Sequence, residues 1–259
     1  ITSEGNPFQI QNDFFSLASG FSDVFTPAKY ISEKYDGISG EQISENGTHS
    51  FIKNSDTGSI EISLQTTESG NFYLFFTSSD IRNISCLFGG NTVTQTVETP
   101  YILDLGFFEK GSEIIVSIDA NAMKNTNGSY ELYAYSLNKA VLDAGYQKLC
   151  KNAIDTAEFT GTKIKGRITA EENSILYSSI PYDESWRVYI DGERQETFEI
   201  GESQLGVMIK AGTHEVEYAY RPKGMAAGIC ISVSALSLFI GYIICRKKQK
   251  LVKYFYKTV

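Results

Sequence analysis

The run from Gly224 to Cys245, GMAAGICISVSALSLFIGYIIC, holds 22 residues without a charge. At the α-helical rise it extends about 33 Å, enough to cross a hydrocarbon core of about 30 Å. Arg246, Lys247, Lys248 and Lys250 follow at once, with Lys253 and Lys257 beyond. The cytoplasmic flanks of membrane spans carry excess Lys and Arg. The pattern therefore predicts a transmembrane helix over residues 223–246 and a basic cytoplasmic tail over 247–259. Residues 1–222 are then extracytoplasmic. The competing reading is a buried core helix, and the length of the uncharged run and its basic stop argue against it.

The charge is split unevenly about this run. All 31 acidic residues precede Lys223, whereas only 16 of the 23 basic ones do, a balance of −15 on residues 1–222. Such a segment should repel nucleic acid and bare anionic lipid. It accommodates a neutral or cationic partner, such as a sugar, more easily.

Of four cysteines, Cys230 and Cys245 fall in the apolar run or at its edge. Cys86 alternates with Ile84 and Phe88 and reads as a core strand residue. Two buried free thiols, Cys86 and Cys150, are favoured over a bridge between them. No C-x-x-C pair occurs, so neither a zinc nor a redox site has support. The chain shows no basic n-region followed by an apolar h-region. We expect residues 1–222 to be exported by earlier spans of a longer polypeptide.

Upstream of the span the period is that of β-structure. Residues 1–45 are weakly patterned, with a short helix suggested around Asp13–Leu17. Residues 46–137 carry about eight short alternating runs, among them Ile60-Ile62-Leu64 and Ile114-Val116-Ile118. A Phe88-Gly89-Gly90-Asn91 turn supplies φ > 0 for a hairpin. This is the pattern of a β-sandwich or jelly roll. Residues 138–157 change period: Val141, Leu142, Gly145, Tyr146, Leu149 and Cys150 share a helical stripe, predicting a linking helix against a sheet. Residues 158–222 return to about six strands, a second small sandwich, with an Asp191-Gly192 turn. The fold class is mainly β: two jelly-roll-like sandwiches in tandem, a linking helix and one C-terminal span.

Chemistry is sparse. A nucleophile triad needs a histidine beside Ser or Cys. His49 lies near a turn, His214 on a strand face, and no G-x-S-x-G surrounds a serine. Two distant histidines also make a poor metal site. We assign no catalytic residue, metal or cofactor. Tyr177, Tyr182, Trp186 and Tyr189, with Asp183 beside them, could form a sugar-stacking platform. The favoured reading is instead that Trp186 anchors the core of the second sandwich. Tyr218, Tyr220 and Tyr242 are alternatives for an interfacial aromatic belt. Gly224-x-x-x-Gly228 with Ser232 lines one face of the span with small residues, which permits close helix packing.

Several runs together resemble a known family. Ser179-Ile180-Pro181-Tyr182-Asp183, Trp186-Arg187-Val188, Ile190-Asp191-Gly192, Gly206-Val207, Gly212-Thr213-His214-Glu215-Val216 and Tyr220-Arg221-Pro222 resemble the C-terminal region of the YfhO family of bacterial membrane proteins. Lys165-Gly166-Arg167-Ile168, Asn6-Pro7-Phe8 and Gln11-Asn12 extend the likeness upstream. The resemblance implies a bacterial cell membrane location and a multi-span protein similar to GT-C glycosyltransferases. Such a protein would move sugar from a polyprenyl-phosphate-linked donor to a cell-wall polymer such as lipoteichoic acid. The family's catalytic acid sits between early spans, and no residue here matches it. The expected role of this chain is to position or recognise the acceptor. The expected partners are the membrane, the N-terminal multi-span part of the same protein, the lipid-linked sugar and the polymer. The alternative is a membrane-anchored carbohydrate-binding or scaffolding module without a catalytic role.

Overall fold

The computed structural model describes residues 5–42 and 47–255; the last four residues of the expected basic tail, 256–259, lie outside it. The chain is mainly β and divides into two compact units, Ile1–Lys151 and Asn152–Val259.

The first unit opens with α1 (Pro7–Ser19), longer than the suggested short helix. The Asn6 side chain accepts from the Phe8 and Gln9 amides, Pro7 occupies the first turn, and Gly20 closes the helix at φ 77°. Each is a standard solution for unpaired backbone groups at a helix end. Eleven strands follow: β1 (Phe25–Pro27), β2 (Lys29–Asp36), β3 (Ile38–Gln42), β4 (Thr48–Lys53), β5 (Ser59–Gln65), β6 (Gly70–Thr77), β7 (Asn83–Phe88), β8 (Asn91–Thr96), β9 (Leu103–Phe108), β10 (Glu113–Asp119) and β11 (Asn127–Leu137). The weakly patterned segment 1–45 thus supplies three strands to this unit. Residues in β2 are mostly exposed, so no alternation marks them.

The sheets are β3-β4-β11-β6-β9, with β1 also on β11, and β2-β5-β10-β7-β8. The chain changes sheet at most steps, as in a jelly roll. One core lies between them. Phe72, Leu74, Phe76 and Tyr130 come from the first sheet, and Ile60, Ile62, Leu64, Ile114 and Val116 from the second. Burial of each such side chain contributes roughly 1.5–3 kcal/mol.

The helix α2 (Lys139–Cys150) forms where the period changes. Its partner corrects the expectation of packing on a sheet: it packs against α1. Of its stripe only Gly145 is buried, because the Phe15 ring of α1 occupies the place a Cβ would need. Lys148 Nζ donates to the Ser19 carbonyl at 2.8 Å, closing the end of α1. Tyr146, Leu149 and Cys150 are exposed. Cys86 is a buried free thiol, as expected, but Cys150 is free and exposed rather than buried.

The second unit holds β12 (Asp155–Phe159), β13 (Lys163–Ala170), β14 (Ser174–Pro181), β15 (Trp186–Ile190), β16 (Glu193–Gln195), β17 (Thr197–Ile200), β18 (Gln204–Ile209) and β19 (Gly212–Tyr220). They form the sheets β12-β13-β19-β15-β16 and β14-β18-β17. Ile168, Val188, Val216 and Tyr218 face Leu205, Val207 and Ile209 across its core. Tyr218 is 3 % exposed. It is a core residue, which removes it from the aromatic belt considered above. Asp191 (φ 52°) and Gly192 (φ 83°) make the expected two-residue turn between β15 and β16.

From β19 the chain passes through Arg221–Gly224 into α3 (Met225–Phe255). Its stretch Met225–Ile244 has mean hydropathy 2.2 and none of it is buried. The buried-core-helix alternative therefore fails. An uncovered apolar helix of 20 residues has the length and composition to cross a bilayer. The helix continues past the expected end at 246, carrying Arg246 and Lys247 in its last third.

Candidate functional site

Strand β15 begins at a tight turn built by Asp183. The Ser185 amide donates to Asp183 Oδ1 at 2.7 Å, and the Trp186 amide to the Asp183 carbonyl at 2.9 Å. The Tyr220 hydroxyl donates to Oδ2 at 3.3 Å. The Ser185 hydrogen bonds, with smaller help from Tyr220 and Lys223, hold the Asp183 carboxyl below its ordinary value. Asp183 therefore shapes the turn that presents Trp186. The Trp186 ring packs on Tyr220 with centroids 5.0 Å apart and planes tilted by 53°. It is half-buried at the end of the core, so it serves as core and surface together. Tyr182, tied through its amide to the Ser203 carbonyl at 2.7 Å, is half-buried beside the same cluster.

Tyr182, Trp186 and Tyr220 line an open groove of about 1120 Å³. One wall comes from β16 and the start of β17, the other from Arg221–Gly224 and the first turns of α3, including Met225 and Ile229. Two of the five sequence candidates, Tyr182 and Trp186, thus meet in one place, while Tyr177 lies on β14 in the three-stranded sheet and does not line the groove. Asp183 touches it through the Tyr220 hydroxyl. Tyr189 does not line it; it stands farther along β15, beside Arg194 and Glu217 across the ladder.

The groove also collects cations that the sequence reading did not single out. Arg187, Arg194 and Arg221 line it, and so does Lys223, which is ion-paired to Glu184. Among the described residues no arginine takes part in an ion pair, while Lys163 and Lys165 of the same unit bond to Glu158 and Glu215. The one further carboxylate on the groove is Glu196. Arg187 and Arg194 meet only because β16 folds back on β15, and Arg221 joins them only because β19 pairs with β15. The signal available in the sequence was the spacing of three arginines around the Trp186 and Asp191-Gly192 runs.

The histidines lie elsewhere. His214 Nδ1 sits 2.7 Å from Asp191 Oδ2, and its Nε2 3.1 Å from the Lys210 carbonyl. In the first unit His49 is 1 % exposed and stacks on Tyr130 at 4.9 Å. Its Nδ1 lies 3.1 Å from Glu33 Oε1, which also accepts from the Tyr130 hydroxyl at 3.1 Å. Burial works to raise the Glu33 pKa, but His49, Tyr35 and Tyr130 prevail and hold it low. Neither histidine has a nucleophilic hydroxyl or thiol among its described polar contacts. Among the described residues no three His, Cys, Asp or Glu side chains gather to hold a metal ion.

Solved structures similar to part of the chain include two carbohydrate-binding modules. The C-terminal CBM6 of LamC, a marine laminarinase from Zobellia galactanivorans, is 14 % identical over 42 % of this chain and 93 % of its own, with a TM-score of 0.26. The module CBM36 in complex with calcium and xylotriose is 16 % identical over 41 % of this chain and 100 % of its own, with a TM-score of 0.25. At these scores the likeness carries no weight for function. No curated protein sequence matches the chain. A family match, in contrast, spans residues 2–232, from before α1 into the membrane helix, under the description "Bacterial membrane protein YfhO". With the exposed apolar helix and the β-units joined to it, this match shows that the chain belongs to the YfhO family of bacterial membrane proteins.

Proposed function

We propose that this chain is the extracytoplasmic C-terminal region and last span of a glycosyltransferase-like membrane protein, and that its second unit holds the acceptor. In this reading sugar passes from a polyprenyl-phosphate-linked donor to a cell-wall polymer such as lipoteichoic acid. The reactive centre lies on polypeptide preceding Ile1. The observation that carries the reading is the pair Tyr182 and Trp186, half-buried on an open groove that starts at the first turns of α3. Aromatic rings fixed by packing suit the apolar faces of sugar rings. A groove at the foot of a span meets polymers attached to that leaflet. Family membership supports it, and the −15 balance of residues 1–222 is compatible with a neutral sugar acceptor.

Trp186 is the only tryptophan, so its fluorescence reports on the groove. Full-length chain in nanodiscs, titrated with soluble cell-wall glycans, should show a saturable change in that emission. Tyr182→Ala should weaken binding by about five- to tenfold, the worth of one stacked ring. No change with any glycan would favour the scaffolding alternative.

A further inference from the structure

The −15 balance of residues 1–222 argues against contact with anionic lipid, yet the groove at the base of α3 is locally cationic. Its rim carries Arg187, Arg194, Arg221 and Lys223 against two carboxylates, Glu184 and Glu196, and Lys223 already engages Glu184. Three guanidiniums are left without a carboxylate partner among the described residues, in a unit whose other described ion pairs hold lysines and His214. Guanidinium is the side chain whose planar donor fork fits phosphate oxygens two at a time. The groove wall then runs onto Met225 and Ile229, both more than half exposed, in the first turns of the span. That first turn holds no acidic residue, and the positive end of the helix dipole lies there. Trp186 and Tyr220 line the same groove, and amphipathic rings of this kind are enriched at membrane surfaces.

We propose that this groove seats the headgroup of a net-anionic phospholipid from the adjoining leaflet. Arg187, Arg194 and Arg221 take the phosphate, and the acyl chains lie along Met225 and Ile229. The lipid fixes how the second unit stands on the membrane. This goes beyond sugar recognition and does not depend on it, since it uses the arginines and not the Tyr182 ring.

The test uses full-length chain in a neutral maltoside micelle, with Trp186 emission as readout. Three probes are titrated: short-chain phosphatidylglycerol, short-chain phosphatidylcholine and inorganic phosphate. The expected result is saturable binding of phosphatidylglycerol only, weakened by added salt. Arg187→Gln, Arg194→Gln and Arg221→Gln should each lower its affinity about fivefold, the worth of one basic residue near a charged surface. Arg167→Gln, away from the groove, should leave it unchanged, and circular dichroism should match for all four variants. Equal binding of phosphatidylcholine would overturn the proposal, because the site would then read acyl chains alone. Binding of inorganic phosphate as tight as phosphatidylglycerol would overturn the lipid source. Insensitivity to all three arginine changes would overturn the assigned residues.

Discussion

Asp191 joins two tasks at one position. Its backbone takes φ 52° to turn β15 into β16, and its carboxylate receives the Glu215 amide at 2.9 Å and His214 Nδ1 at 2.7 Å. With the Lys210 carbonyl at the other ring nitrogen, both sides of the His214 imidazole face acceptors, which favours the charged form. The Asp191 hydrogen bond accordingly raises the His214 pKa from its ordinary 6.5, and the same bond lowers that of Asp191 from 3.8. A raised histidine adds stability that is complete below 6.5 and fades as pH climbs through the raised value. A lowered aspartate adds stability that is complete above 3.8 and fades as pH falls through the lowered value. The pair therefore stabilises most between roughly pH 4 and 6.5. His214→Gln should lower the Tm of the second unit most within that window and much less near pH 9. A gap of the same size at every pH would refute the assignment.

Elements were legible in the sequence where burial alternates. β10 follows inside–outside order without a break, and the alternation of Ile114, Val116 and Ile118 marks it as a strand from period alone. The Gly89-Gly90 and Asp191-Gly192 turns were legible for the same local reason, since each takes positive φ at both central positions. β2 was not, because most of its side chains face water. The stripe on α2 was legible but its partner was not: a short amphipathic helix announces a face, and only the fold decides that Phe15 meets it. The site divides likewise. Trp186 and Tyr182 stand out by chemistry, whereas the meeting of Arg187, Arg194 and Arg221 depends on the pairing of β15 with β16 and β19. The most legible element of all is α3, and it carries its own prediction. Leu236→Lys puts a charge near the middle of the span, at a cost of about 2.5–3.5 kcal/mol for insertion. The variant should shift from the membrane pellet to the alkaline-extractable fraction, and unchanged retention would count against a spanning α3.

At the level of the molecule, the two β-units and the helix place the three described cysteines, Cys86, Cys150 and Cys230, in different surroundings. Cys86 is enclosed in the first core, and burial pushes its thiol up to about 12. Cys230 lies within the span. Cys150 is free and exposed at the end of α2. If residues 1–222 face outward, a membrane-impermeant maleimide should label Cys150 in intact cells without lysis, and Cys150→Ser should abolish the signal. Labelling that appears only after lysis would invert the orientation proposed here.

The link between β19 and α3 has a mechanical consequence. The Arg221 amide donates to the Ser185 carbonyl, Met225 to Pro222 and Gly228 to Gly224, so hydrogen-bonded turns bracket the four residues between sheet and helix. A joint this short leaves little slack to absorb torque. If neighbouring spans roll or tip α3 within the bilayer, so short a link passes much of that motion to the sheet that holds Trp186, like a rudder blade on its stock.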